Sequence, residues 1–505
     1  MVLAACRGGG ALLSGVLYAA LLPTGAGEWL SFVALVPLIL ACATTTPRSA
    51  FAVGGLFGLT ATLGVAWWFP GMVERYFGVS PGLAWLGLAA VGATVDALPY
   101  ALFGAWLARA ASRGRLTPLG VGAAWALAEL VRVHEPIANP YALLAYAQHG
   151  TPLAQAADLA GPYGVGLLLA AVNAALAAHL LPARAGGRPR RVLAYTAIAL
   201  LASFAYGELR LAQSFGDGQP LRVALVQGAV ARGLNWDRAT RDANLARYLE
   251  LNARAARAQA ELVFWPEFAV DFYLSEETLE RARLLDGVRA GGADVVLGAA
   301  RYDFAADATR YFNSVYSIDG GGQLRTVRYD KQRLVPFAEY APLGDWLRAS
   351  SATYVAGDAP RVLDTRRVRV GAFVCAESLF PEVARGLARA GAELLANPSN
   401  DYWFGAPQAA LEQLHSAAFR AIENRRYLVR ATSTGVSAVI DPHGRVSARS
   451  VAEGPEIISA SLERSAAVTP YQRIGDAGVA AGCLVFAALG LGGRARESRL
   501  SGGST

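Results

Sequence analysis

The sequence predicts two joined folds: a multi-span α-helical membrane domain of about eight spans, and an α/β domain built as a layered sandwich of sheets and helices. Three observations carry this. The 505 residues are 54% hydrophobic and only 17% charged, against about 25% charged in an ordinary soluble domain. The deficit is uneven, because residues 1–215 hold just 12 of the 46 Lys/Arg and 7 of the 39 Asp/Glu. Beyond them, strand and helix patterns alternate over about 250 residues, enough for one large domain with its own core.

A helix crossing a hydrocarbon core of ~30 Å needs about 20 mostly apolar residues. Candidate spans are 9–23, 29–44, 51–69, 83–108, 118–133, 162–182, 192–208 and 474–492. The first two are short and separated by the turn-like Pro23-Thr24-Gly25-Ala26-Gly27. Positive charge is retained on the cytoplasmic side, which orients the spans. Arg7, Arg48, the set Arg109, Arg113 and Arg115, the set Arg184, Arg188, Arg190 and Arg191, and Arg494, Arg496 and Arg499 all fall on one side. The opposite short loops carry only Arg75 and Arg132. The expected division is therefore a membrane domain over 1–209, an external α/β domain over 210–470, a final span over 471–493 and a cytoplasmic tail over 494–505. In a bacterium the external side is the periplasmic face of the inner membrane. Only five residues precede Cys6 in the lipobox-like Leu3-Ala4-Ala5-Cys6, too few for a signal peptide, so no cleavage is expected there.

In the α/β region, Leu221–Gln227 reads as a strand, Arg238–Gln259 as an amphipathic helix and Leu262–Trp265 as a short buried strand. A helix near Glu276–Ala290 and a strand Asp294–Ala299 come next. Two strands, Phe312–Asp319 and Leu324–Asp330, are joined by Gly320-Gly321-Gly322, a hairpin signal. The remainder reads as strand Val368–Val374, helix Pro381–Ala390, strand Glu393–Asn397, helix Gln408–Asn424 and strands Leu428–Ala431, Ser437–Asp441 and Glu456–Ala460. Such alternation with hairpins implies layers of sheet and helix.

Several function classes drop out. The net charge of +7 comes from arginines flanking apolar segments, a topological signal and not a nucleic-acid stripe. Cys6, Cys42 and Cys483 lie in apolar or terminal segments, leaving Cys375 alone in the α/β domain and excluding a disulfide framework there. The five histidines show no metal-ligand spacing, so neither a metal nor a cofactor is expected. Asp96, inside a span, marks either a functional site or a hydrogen bond to a neighbouring helix. Glu129 and Arg132, at i and i+3, are expected to pair.

Three residues stand out chemically. Cys375 ends the apolar strand Val370–Val374 and precedes a helix, where backbone N–H groups favour a thiolate and can hold an oxyanion; the alternative is a buried structural cysteine. Glu267, in Trp265-Pro266-Glu267, follows a buried strand, and desolvation there raises a carboxyl toward general-base range; the alternative is a solvated loop residue. Lys331 is the only lysine against 45 arginines, as a small oxyanion-holding ammonium would require, unless it survives by chance.

With their flanks, these residues form a pattern. Trp265-Pro266-Glu267, Tyr329-Asp330-Lys331-Gln332-Arg333 through Pro336-Phe337-Ala338-Glu339-Tyr340, and Cys375-Ala376-Glu377 resemble the Glu-Lys-Cys triad of the nitrilase superfamily. Gln227, Trp236-Asp237, Asn400-Asp401 with Trp403-Phe404-Gly405, and Arg420-Ala421 through Glu423 to Arg430-Ala431-Thr432 and Thr434-Gly435 match as well. Joined to the apolar spans, the chain resembles the apolipoprotein N-acyltransferase family over nearly its whole length. The resemblance implies an αββα sandwich with Glu267, Lys331 and Cys375 as catalytic triad and the Ala376 N–H as a second oxyanion donor. It implies Glu339 and Glu377 as supporting carboxylates, and Trp236, Tyr402, Trp403 and Phe404 as substrate or loop contacts. The aromatics at 402–404 either dip into lipid or pack in the core. Ala376, Ala338, Tyr402, Ser433 and Phe268 depart from the family pattern and bear on the shape of the acyl pocket.

The same resemblance implies transfer of an acyl group from a phospholipid, phosphatidylethanolamine being the expected donor, through a Cys375 thioester. The acceptor is the amino terminus of a diacylglyceryl apolipoprotein, and the enzyme is expected to be a monomer. The rival reading is a membrane-tethered amidase acting on small amides with the same triad; a third is a transporter or scaffold. Eight spans suit an acyl donor that lives in the bilayer better than a soluble amide.

Overall fold

The structure, a computed structural model, describes residues 2–21, 27–134, 138–181, 189–230, 238–276, 278–305, 309–340, 354–405, 407–451 and 454–492. Its first part is helical. Helices Val2–Ala19, Val36–Ala43, Pro47–Val65, Ala97–Ser112, Pro118–His134, Ala157–Leu180 and Pro189–Leu211 correspond to the apolar runs, and Pro470–Leu491 comes after the α/β region. Among the described residues, five helical stretches are long and apolar enough to cross a membrane: Pro47–Val65, Pro81–Ser112, Pro152–Leu180, Arg190–Leu211 and Pro470–Leu491. Helices Pro47–Val65 and Ala97–Ser112 pack backbone to backbone, since a Cβ on Gly54 would lie 2.1 Å from the Tyr100 carbonyl oxygen and one on Gly104 2.3 Å from that of Ala50. Small residues permit this approach between apolar helices.

One helix is interrupted by a π-turn, Gly92–Asp96, of the kind that re-aims a side chain. Buried Asp96 accepts hydrogen bonds from Thr62 Oγ1 at 2.8 Å and Asn139 Nδ2 at 2.7 Å. Arg132 reaches Asp96 at 3.6 Å. The expected Glu129–Arg132 pair is thus replaced: Glu129 accepts from the Leu144 amide at 2.7 Å.

Among the described residues the α/β half contributes twelve strands: β1 (Leu221–Gln227), β2 (Leu262–Phe264), β3 (Asp294–Phe304), β4 (Thr309–Ile318), β5 (Tyr329–Asp330), β6 (Leu363–Asp364), β7 (Arg369–Ala372), β8 (Leu394–Ser399), β9 (Leu428–Thr432), β10 (Ala438–Ile440), β11 (Val446–Arg449) and β12 (Glu456–Leu462). They form two six-stranded sheets, β12-β1-β2-β3-β4-β5 and β11-β10-β9-β8-β7-β6. Each has three parallel strands (β1–β3, β7–β9) flanked by antiparallel ones, a single strand on one side and two on the other. The parallel strands are apolar in runs because both faces are covered.

Val223, Leu225, Phe264 and Val296 of one sheet pack against Val370, Ala372, Leu395 and Val429 of the other. Helices Arg238–Arg257 and Leu279–Gly291 cover the first sheet through Leu245, Tyr248, Leu284 and Val288. Helices Pro381–Arg389 and Pro407–Asn424 cover the second through Val383, Leu387, Leu414 and Ala418. The result is the nitrilase-like helix–sheet–sheet–helix order. The anticipated strand Leu324–Asp330 is shorter than its pattern, pairing at Leu324 and again at 329–330; residues 325–327 between are exposed and have no face to bury.

The two halves meet along a buried seam. Arg425 gives its guanidinium to Asp158 Oδ2 at 2.7 Å and Gln155 Oε1 at 2.6 Å. Asp158 also holds Arg210 at 2.7 Å and the Tyr206 hydroxyl at 2.7 Å. Tyr146 stacks edge-on with Phe419, ring centres 5.0 Å apart.

Candidate active site

The site lies at the carboxyl ends of strands from both sheets, where open α/β sheets place their chemistry. Glu267 follows β2, Lys331 follows β5 and Cys375 follows β7. All three side chains are buried, although no continuous stretch of sequence links them.

The Glu267 loop is pinned from behind. Its Trp265 amide donates to the Val296 carbonyl at 2.9 Å, and the Gly298 amide to the Pro266 carbonyl at 3.1 Å. A Cβ on Gly298 would come within 2.7 Å of Glu267 Cα, so only glycine lets β3 approach this closely. Asn313, mid-strand in β4, donates from Nδ2 to Glu267 Oε1 at 2.7 Å and to Glu339 Oε1 at 3.1 Å. Its own carbonyl receives the Lys331 amide at 2.8 Å. One asparagine therefore spaces two carboxylates and fixes the backbone of the cation between them.

Lys331 Nζ stands 2.8 Å from Glu339 Oε2 and 3.9 Å from Glu267 Oε1, with 2% of its side chain exposed. Burial opposes the ammonium charge, but Glu339 and then Glu267 outweigh it and push the Lys331 pKa up. Glu339 is held by the Val335 amide at 2.7 Å.

Cys375 opens a 3₁₀ turn, Cys375–Leu379, in the left-handed region at φ 51°. Phe268 (φ 48°), after Glu267, and Phe337 (φ 65°), between Lys331 and Glu339, share that conformation. Strained backbone of this type persists only where surroundings over-determine it. Asn397 Nδ2 supplies part of that restraint, donating to the Phe373 and Cys375 carbonyls at 2.9 and 3.1 Å. Burial, followed by the charge on Glu267, pushes the Cys375 thiol up to about 12, with Lys331 pulling the other way. Burial thus favours the thiol form of Cys375, within reach of the charge on Glu267. Ala376 lies in the first turn after it, where an N–H has no partner within the turn.

Glu377 clamps the two sheets' loops together. It accepts from the Tyr329 hydroxyl at 2.9 Å, the Gln332 and Arg333 amides at 2.7 and 2.9 Å, and the Val374 amide at 2.6 Å. Burial pushes its carboxyl up to about 7 against these donors.

Of the other anticipated contacts, Trp236 lies outside the described residues. Tyr402 is exposed, Trp403 half-buried and Phe404 buried. Phe404 packs edge-on against Trp68 of the helical half, centres 5.4 Å apart, and Trp68 against Tyr141 at 5.5 Å. Beneath this loop Arg430 binds Asp401 Oδ1 at 2.7 Å, Gln413 Oε1 at 3.0 Å and Asn397 Oδ1. Arg420 pairs with Glu423 at 2.5 Å.

Asn313 and Tyr141 carry no signal in the sequence. Tyr141 packs against Trp68, and the charges of Cys375, Glu412 and Asp401 all reach its hydroxyl, so it brings the helical half to the site. Elsewhere His134, Glu382 and Asp476 gather within 4.8 Å. Arg333 already pairs with Glu382 at 2.6 Å and His134 with Asp476 at 3.3 Å, which matches these charges internally.

Two family models match the chain: the apolipoprotein N-acyltransferase N-terminal domain over residues 14–175, and the carbon-nitrogen hydrolase over residues 222–470. An apolipoprotein N-acyltransferase of Geobacter metallireducens is 32% identical over 494 residues, covering 95% of this chain and 94% of the relative. One from Pseudomonas putida is 32% identical over 459 residues, covering 88% of each. Among solved structures, an amidase from Nesterenkonia sp. aligns with TM-score 0.38 at 21% identity, covering 52% of this chain and 95% of that one. By identity and coverage over nearly its full length, the chain belongs to the apolipoprotein N-acyltransferases, acyltransferases of the nitrilase superfamily.

Proposed function

We propose that this enzyme N-acylates the amino-terminal S-diacylglyceryl cysteine of apolipoproteins, with a phospholipid, phosphatidylethanolamine in the first place, as acyl donor. The observation that carries the mechanism is the buried cluster in which Lys331 stands between Glu267 and Glu339 while Glu267 and Lys331 both act on the Cys375 thiol.

Glu267 takes the thiol proton as sulfur attacks the ester carbonyl. The oxyanion is met by Lys331 and the Ala376 N–H, preorganised donors of the kind that dominate such catalysis. Collapse expels the lysophospholipid alcohol, which receives the proton from Glu267, and leaves a thioester on Cys375. The acceptor's neutral α-amine then attacks; Glu267 takes its proton and returns it to the departing thiol, giving an amide and free enzyme. Glu339 fixes Lys331, and Glu377 holds the turn bearing Cys375 against the Lys331 loop.

The accompanying arrangement is a monomer in a bacterial inner membrane, with eight spans, both termini cytoplasmic and residues 210–470 periplasmic. Arginine asymmetry supports it, and a reporter fused after Arg499 that works only in the periplasm would overturn it. For the chemistry, the full-length protein is incubated with phospholipid and its peptides weighed. A fatty-acyl mass on Cys375, lost in Cys375→Ala and kept when the other three cysteines are replaced, is expected; unmodified Cys375 would refute the thioester route.

A further inference from the structure

Ping-pong transfer brings two different lipids to one thiol, and only the donor carries a phosphodiester. We propose that Arg75 is the seat for that phosphodiester and serves the loading half-reaction; the proposal rests on the function proposed above.

Arg75 lies in the helix Phe69–Phe77 of the helical half. Two backbone carbonyls aim its guanidinium: Nε donates to Gly71 O and Nη2 to Phe404 O, each at 3.2 Å. A Cβ on Gly405 would sit 1.4 Å from Nη2, so the fork lies flat against a glycine in the left-handed region at φ 59°. Among the described residues no carboxylate pairs with Arg75, whereas Arg132, the other arginine of the outward loops, is buried against Asp96. Arg75 is exposed, and among the described residues Nη1 and one hydrogen of Nη2 are turned to no protein acceptor. An oriented, solvent-facing fork with unspent donors suits a tetrahedral oxyanion such as a phosphodiester.

Its place in the fold connects it to Cys375. The Phe404 amide donates to the Asp401 carbonyl at 3.1 Å, and Asp401 is one of the charges acting on the Cys375 thiol. A single 3₁₀ turn, Asp401–Trp403, separates the residue that acts on the thiol from the residue whose carbonyl Arg75 binds, so the guanidinium is anchored on the loop that borders Cys375. On the same side Trp68, Phe69, Met72 and Phe404 form an apolar cluster suited to acyl chains. A diacylglyceryl thioether has no phosphate to offer, so Arg75 would tell donor from acceptor by charge.

The test uses full-length protein in detergent micelles, with phosphatidylethanolamine or the phosphate-free p-nitrophenyl ester of the same fatty acid as donor, and follows acylation of Cys375 by mass. Arg75→Gln should slow loading from phospholipid at least ten-fold, chiefly through KM, and leave loading from the ester and transfer to a diacylglyceryl peptide within two-fold. Arg75→Lys should fall between. Equal loss with both donors would assign Arg75 to holding the 401–405 loop and overturn the proposal, as would unchanged phospholipid loading. A parent protein that loads from the ester but never from phospholipid would instead overturn the donor assignment, visible without any variant.

Discussion

Replacing Lys331 by arginine asks whether the site needs a cation or this cation. Nζ is enclosed, 2% exposed, at 2.8 Å from Glu339 and 3.9 Å from Glu267. Guanidinium keeps the charge that compensates both carboxylates, but it is bulkier and presents its donors in a rigid plane. Overpacking a site this tight costs about 1–3 kcal/mol in stability. The larger effect is geometric, because an oxyanion needs its donor at ~2.7–3.1 Å and losing one such donor costs roughly 3–4 kcal/mol, or about 10²- to 10³-fold in rate. The variant is purified in detergent, checked by thermal melt and timed for thioester formation with a fluorescent phospholipid. Lys331→Met serves as companion: it leaves Glu267 and Glu339 buried without a cation, a loss of about 3–5 kcal/mol, and should melt below the arginine variant. Loading by Lys331→Arg within a few-fold of the parent would refute the reasoning, leaving charge alone as the requirement.

Asn313→Ala removes the donor shared by Glu267 and Glu339; a hydrogen bond to a charged group contributes about 1.5–3 kcal/mol, so thioester formation should fall about 10- to 150-fold, measured by the same timed loading. The Cys375 thiol, pushed up to about 12, should react with iodoacetamide slowly at pH 7, its rate still climbing at pH 9. Glu267→Gln removes a charge that raises this thiol, so alkylation at pH 8 should quicken while acyl loading is lost; slower alkylation would contradict the electrostatic assignment. Burial pushes Glu412, whose carboxylate oxygens have no hydrogen-bond partner among the described residues, up to about 8, well above its unfolded value. The folded state therefore holds a proton that the unfolded chain has released, and stability falls as pH rises from about 4.5 to 8. Glu412→Gln should melt like the parent at pH 5 and above it at pH 9, and identical melting at both would count against a buried, titrating carboxyl.

The parts legible in the sequence are those whose surroundings are uniform. β1, β8 and β9 are buried on both faces and read as apolar runs, so the sequence pattern lands on them within a residue or two. β6 and β11, which leave no mark in that pattern, are edge strands; β11 alternates half-buried and exposed residues, so there is no apolar run to see. Glu267, Lys331 and Cys375 each end or follow a strand, where a polar residue breaks an apolar run and draws attention. Asn313 sits mid-strand among buried residues, and Tyr141 reaches the site across nearly half the chain, so their roles exist only after folding. Arg132 shows the opposite failure: helical spacing favours Glu129, but the π-turn at Gly92–Asp96 supplies a carboxylate that local periodicity does not encode.

The seam around Asp158 has a consequence for the order in which the chain is assembled. Asp158 leaves the ribosome long before Arg425, and an uncompensated carboxylate would have to wait between apolar helices at considerable cost. Arg210 and Tyr206 close that interval: both lie in the last helix before the α/β region and both bind Asp158 directly. The nascent helical half can therefore satisfy its acid with neighbours that stay in place, and Arg425 completes the set when its domain closes, capturing Gln155 as well. The α/β half has no such provision. Expressed by itself it would leave Arg425 with the Pro442 carbonyl at 3.2 Å but without Asp158 and Gln155, beside the bared side chains of Phe419 and Ile422, so the two pieces should be made in cis, helices first.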